Sequence, residues 1–199
     1  DLDYIGIAAH NLGTAGVTIT VEGANENDTY GDPDYFELDL EVMPADDCAL
    51  LLRFEKASYT FIRITIENPN VAPQIGVLYL GALLPMQRNL YVGHSSANLS
   101  INTNLAAGVA EGGSFLGLIE ARRTLRTNVQ IDNVTPSWYR TTFKPFTLVA
   151  RTTPFFWAWR PSSYPDEVVF CWLTGDIAPT NTLPNGYMTF EFDIEGIYC

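Results

Sequence analysis

Residues 61–81 read FIRITIENPNVAPQIGVLYLG. Two runs rich in β-branched and aromatic residues, 59–66 and 74–81, flank Asn68-Pro69-Asn70. Proline has no amide to donate, and asparagine can satisfy turn backbone with its own side chain, so the tripeptide reads as a turn and the runs as strands. The pattern extends upstream. Val17, Ile19 and Val21 alternate with Thr18 and Thr20, and in 35–42 Phe36, Leu38, Leu40 and Val42 alternate with mostly acidic neighbours. A period of two buries one face of a strand and wets the other. The small-residue run 4–9 and the run 49–54 bring the set to six. Gly13 and Gly16, the stretch 23–34 and the stretch 44–47 punctuate them. Six short strands without a helical period predict an all-β sandwich or jelly roll over residues 1–84.

Residues 85–110 differ: Met86-Gln87-Arg88-Asn89, Gly93 and a polar run from 95 to 104 read as a connector. Residues 111–199 read as a second β-rich module. Residues 114–125 and 126–131 form a hairpin candidate. Thr135-Pro136 gives one helix start, an N-cap hydroxyl followed by a proline suited to the first turn. That helix is expected over about 135–144, stopping before Pro145. Residues 146–150, 155–159, 168–174 and 187–194 read as further strands, with Asn185-Gly186 a hairpin signal before the last.

The totals bound the function. The chain has 199 residues, 47% hydrophobic and 17% charged, with a net charge of −12. That charge argues against a basic nucleic-acid-binding face. It is uneven: residues 1–93 hold fourteen acids and four bases (net −10), residues 94–199 nine acids and seven bases (net −2). No apolar run approaches the ~20 residues that cross a bilayer, so membrane insertion is not expected. No signal peptide is visible, and residues upstream of Asp1 are expected to be missing. Cys48, Cys171 and Cys199 are odd in number and far apart. They read as reduced thiols in a reducing compartment, not as a zinc site or disulfide framework; a Cys48–Cys171 pair is the weaker alternative.

Candidate chemistry is sparse. His10 and His94 lack a nucleophile elbow or a marked carboxylate partner, and hydrogen bonding to turn backbone is the favoured reading of His10. There is no HExxH, P-loop, GxGxxG or CxxC. No enzyme, catalytic residue or cofactor is expected. Among the acids, Asp32 and Asp34 are no evidence for a depolymerase or peptidase. The oxygen-rich loop 25–34 offers Asp28, Asp32 and Asp34 as calcium ligands, against a solvated loop as the favoured alternative. Arg122, Arg123 and Arg126 cluster. They could meet phosphate or carboxylate, form a subunit contact against the acidic first module, or line a solvated face.

The stretch PFFWAWRPSSYP, 154–165, poses a binding platform against a buried strand. A stacking platform interleaves exposed rings with cations, and here the one base, Arg160, stands at the end. The strand reading is preferred, with Trp157 in the core, Phe156 or Trp159 facing an interface, and Arg160 at the edge.

Two stretches resemble known families. DYIGIAAHNLGTAGVTITVEG with FIRITIENPNVAPQIGVLYLGALL resembles the discoidin-like, galactose-binding-like jelly roll of bacteriophage virion proteins. SFLGLIEARRTLRTNVQIDNVTPSWYRTTFKPF, TPFFWAWRPSSYPDEVVFCWLTGDIAP and NGYMTFEFDIEG look like a minor tail or tail-tip protein of long-tailed phages. The resemblance implies a tail-tube or distal-tail-like β-sandwich with one helix. It also implies a structural virion protein, assembled in the host cytoplasm into a ring at the tail tip or baseplate. Its partners would be copies of itself and other tail proteins. Arg122, Arg123, Arg126, Trp159 and Arg160 would then be interface residues. The alternative is a carbohydrate-binding module that recognises a host-surface glycan.

Overall fold

A computed structural model of the chain describes residues 1–25, 38–90, 93–181 and 186–199. Strand accounts for 52% and helix for 12%, so the class is mostly β. The chain divides into two compact units, Asp1–Leu84 together with Cys199, and Pro85–Tyr198.

The first unit holds β1 (Leu2–His10), a one-turn helix α1 (Leu12–Ala15), β2 (Thr18–Ala24), β3 (Leu38–Val42), β4 (Leu50–Ala57), β5 (Phe61–Glu67) and β6 (Ile75–Gly81). Two three-stranded antiparallel sheets form, in the orders β4-β1-β6 and β3-β2-β5. Register explains the core. Ile5 lies opposite Leu52 and Ile7 opposite Leu50; Ile19 lies between Val42 and Ile66, and Val21 between Leu40 and Ile64. The period of two thus stacks apolar rows on one face of each sheet, and the two faces share one core. Gly16 ends α1 with a φ of 63°, a left-handed conformation that suits glycine. At Gly13 a Cβ would lie 2.3 Å from the Asp46 carbonyl, so the turn closes only without a side chain.

The second unit holds β7 (Ile101–Val109), β8 (Phe115–Val134), β9 (Phe155–Ala158), β10 (Val168–Leu173), β11 (Thr180–Asn181) and β12 (Met188–Ile197). All six belong to one antiparallel sheet, ordered β7-β8-β12-β10-β9 with β11 on β12. Two sequence expectations change here. The stretch 114–131 is not a hairpin within itself but part of one 20-residue strand, and its hairpin partner, β7, lies inside the expected connector 85–110. The helix also runs on past Pro145: α2 (Pro136–Trp138) leads through a π turn, Tyr139–Phe143, into α3 (Lys144–Ala150), so 146–150 is helix and not strand. Proline in a helix interior loses a hydrogen bond and clashes with the preceding turn. The π turn interrupts the regular ladder, and α3 restarts at Lys144. Pro145 then stands in a first turn, where no amide partner is needed.

The start of this segment is doubly fixed. The Thr135 hydroxyl accepts from the Trp138 amide at 3.4 Å, and the Gln87 side chain bridges both the Thr135 amide (2.7 Å) and hydroxyl (3.0 Å). Its apolar side meets β12. Phe143 is fully buried, with ring centroids 4.3 Å from Phe190 and 5.5 Å from Phe146.

The cysteines correct the reading of three reduced thiols. Cys48 and Cys199, 151 residues apart, form a disulfide, and Cys171 is a buried free thiol whose pKa burial pushes up. Sequence distance hid a pair that the fold brings to a Cα separation of 4.9 Å. Maleimide labelling of the native, unreduced protein is therefore expected to modify no cysteine. Denaturation without reductant should expose one thiol per chain, and denaturation with reductant three. Two or three reactive thiols without reductant would exclude the bond.

Candidate assembly interface

Strand β8 has two different halves. From Thr124 to Val134 it is paired with β12, and Leu125, Val129, Ile131 and Val134 are buried. Beyond Thr124 the pairing with β12 ends, and among the described residues only β7 pairs with it. The two strands run on as a ribbon closed by a turn in which the Gly113 amide donates to the Ala110 carbonyl at 2.9 Å. Gly113 takes a φ of 81° there. Both faces of the ribbon are open. Phe115 is 65% exposed, Ile119 72% and Leu105 51%; Val109, Leu116 and Leu118 are exposed as well.

An isolated two-stranded ribbon is marginal in water, and natural sheet edges are blunted by lysine, proline or short length. Residues 101–134 contain neither lysine nor proline. Ala106, Ala107, Gly108 and Gly117 leave parts of both strands low in profile, so another backbone can approach closely. The arrangement is able to bury apolar surface and strand backbone against another polypeptide. Sequence reasoning missed it because the polar start of β7 masked the strand. The readable signal was a Gly-Gly turn between two stretches without lysine or proline.

The expected interface residues fall nearby. Arg122 pairs with Glu195 across the β8–β12 step. Arg123 pairs with Glu120, and its guanidinium lies 4.8 Å from the Tyr198 ring centroid. Arg126 faces Glu195 in register, and its amide donates to the Ser100 carbonyl at 2.9 Å. Arg122 and Arg123 thus have partners within the chain, at the root of the ribbon, where solvent weakens exposed ion pairs.

The aromatic strand packs as a core element. Trp157 is buried edge-on against Phe192 at 5.7 Å, and Phe156 meets Phe170 at 5.0 Å. Trp159 is stacked by Tyr164 at 5.6 Å and 12°, contacts His94 at 5.5 Å and donates its indole N–H to Glu167. The Arg160 guanidinium lies 5.4 Å from the Trp159 ring centroid. These groups complete one another instead of presenting an open ring.

The histidines serve backbone. His10 donates from Nε2 to the Cys48 carbonyl at 2.7 Å and accepts the Leu12 amide at Nδ1 at 3.2 Å, with Asn11 tying residues 72–74 to the same turn. His94 Nδ1 donates to the Asn128 carbonyl at 3.3 Å, and its Nε2 is buried without a partner. Burial holds the His94 pKa below the usual histidine value, with the Asn128 carbonyl and Glu167 opposing. The folded state therefore favours the neutral ring. Stability is full above the unfolded-state pKa of about 6.5 and falls as pH drops through it. The urea midpoint of the second unit should decline from pH 7 to 5.5, and His94→Gln should flatten that decline. An unchanged slope in the variant would remove His94 as the cause.

Comparisons with family models, curated proteins and solved structures give no match. The calcium candidates Asp28, Asp32 and Asp34 lie outside the described residues. Among the described residues, no group of three or more His, Cys, Asp or Glu side chains is placed to hold a metal ion, and no helix is long and apolar enough to cross a membrane.

Proposed function

We propose that this chain is a structural protein of a bacteriophage tail, a subunit that joins copies of itself and other tail proteins in a ring at the tail tip or baseplate. One observation carries the reading: the β7–β8 ribbon, which exposes apolar side chains, has no further strand beside it among the described residues and is free of lysine and proline. Such a surface is unfavourable in a monomer and favourable in an assembly. A ring requires a heterologous contact, one surface docking on a different surface of the next copy and closing by rotation. A protruding ribbon on a compact sheet supplies one half of such a contact. The jelly-roll and distal-tail resemblances support the same reading.

Assembly in this reading takes place in the reducing host cytoplasm, and the Cys48–Cys199 bond closes after the particle reaches an oxidising medium. The chain acts by occupying a position in the particle and carries out no reaction. The test is to purify intact tails from particles encoding this chain and label it with an antibody fragment. Labelling confined to the tail tip in a fixed copy number supports the reading; absence of the chain from purified particles overturns it.

A further inference from the structure

The Cys48–Cys199 bond joins two positions that are held very differently. Cys48 sits in a loop that other contacts already fix. Its carbonyl accepts from His10 Nε2 at 2.7 Å, and its amide donates to Asp46 Oδ1 at 2.9 Å. The neighbouring Asp47 carboxylate accepts from both the amide (2.9 Å) and the hydroxyl (2.7 Å) of Thr14. Opening the bond therefore leaves the Cys48 loop in place. Cys199 lacks such a frame. It is exposed and lies two residues past β12, whose last paired residue is Ile197, opposite Thr124. Strand ends open locally at little cost in free energy.

Tyr198 belongs to the second unit and Cys199 to the first. The Tyr198 ring lies 4.8 Å from the Arg123 guanidinium, and Glu195 pairs with Arg122. The stretch of β12 that the bond steadies is thus the one that borders the root of the β7–β8 ribbon. The bond is also chemically isolated. The remaining thiol, Cys171, is fully buried and donates to the Phe155 carbonyl at 3.5 Å. Burial pushes its pKa up, so it supplies no thiolate to exchange with the bond. Only a thiol from solution opens it. Exposed disulfides are the readily reduced, regulatory kind, whereas structural ones resist the glutathione pool.

We propose that Cys48 and Cys199 form a reversible redox latch on the end of β12, opened by small thiols and closed by small disulfides such as oxidised glutathione. A thiolate from solution attacks Cys199 Sγ, the bond between the two cysteines breaks, and Cys48 leaves as a thiolate that takes a proton from water. A second thiolate attacks the external sulfur of the mixed disulfide and releases Cys199, which is protonated in turn. Two external thiols become one external disulfide, and the protein gains two electrons and two protons. Closing is the reverse. With the latch open, Tyr198 and the last rungs of β12 are free to fray; with it closed, they are fixed beside the ribbon root. The use made of this rests on the tail reading: the latch is open while copies assemble and shuts once the particle has left the cell.

The test equilibrates the native chain in buffers of varied reduced-to-oxidised glutathione ratio, quenches with acid and counts free thiols after denaturation. The count should pass from one to three as the ratio rises, with both units still folded. Hydrogen exchange at residues 195–198 should then quicken by about tenfold or more, while residues 5–9 and 128–131 stay unchanged. Cys199→Ser should exchange fast there at every ratio, and Cys48→Ser should do the same. A bond that resists glutathione until the chain is denatured, unfolding of the first unit on reduction, or exchange at 195–198 indifferent to the bond would each overturn the proposal. Should a serine variant fail to fold, the unmodified chain in reducing buffer still decides. The virion reading stands or falls separately: a chain found in tails with a redox-inert bond keeps it and discards the latch, whereas a responsive bond in a chain absent from particles does the reverse.

Discussion

Replacing residues 105–121 by an Asn-Gly turn should leave a folded protein that no longer associates with itself. The replacement joins Asn104 to Arg122, which are cross-strand partners, and a two-residue Asn-Gly turn matches the twist of such a pair. Every residue removed is outside the buried core, so the excision takes away little that holds the single chain together. It takes away Leu105, Val109, Phe115, Leu116, Leu118 and Ile119 at once. Fully burying one such side chain is worth about 1.5–3 kcal/mol, so the six together are of the same order as the free energy of a micromolar contact, about 8 kcal/mol. Sedimentation velocity should show complete loss of the assembled species with the unfolding transitions retained. Assembly persisting in the excised chain would place the interface elsewhere.

Phe143→Ala should destabilise the second unit by about 3–5 kcal/mol, as expected for a large ring deleted from a closed core. Phe143 is the hub at which Trp138, Tyr139, Phe146, Phe190 and Phe192 converge. It also sits at the end of the π turn. A loss of that size is a large share of the 5–15 kcal/mol that stabilises a typical domain. All four tryptophans, Trp138, Trp157, Trp159 and Trp172, belong to the second unit. Urea unfolding followed by tryptophan emission therefore reports that unit alone. Phe143→Leu, which retains most of the volume, should lose clearly less. Equal losses for the two would mean that the ring is not the packing centre.

Several strands of the first unit were legible because they carry a period of two between turn residues, and the others were short apolar or small-residue runs. Runs such as 17–21 and 61–66 need no distant information to show which face is buried. Trp157 was readable as core for the same reason. The helix past Pro145 was not, because a local rule about proline was overridden by a π turn that tertiary packing stabilises. The disulfide was invisible because 151 residues separate its ends. The ribbon was hidden in plain composition: Asn102, Thr103 and Asn104 look like linker, and Phe115 to Ile119 look like core. Only the pairing of the two stretches shows a strand pair that stays exposed among the described residues. The arginines read as a cluster in sequence, but the acidic partners that β12 and β8 itself bring to Arg122 and Arg123 were not legible there.

In the proposed assembly the ribbon is buried, and in the single chain it is bare. Hydrogen–deuterium exchange of the unmodified chain, measured on the separated monomer and on the assembled species, tests it directly. Residues 124–134, paired along their length with β12, should be protected in both. Residues 101–109 and 115–123 should exchange rapidly in the monomer and become strongly protected in the assembly. Rapid exchange throughout the ribbon in an assembly that protects another surface would contradict the account.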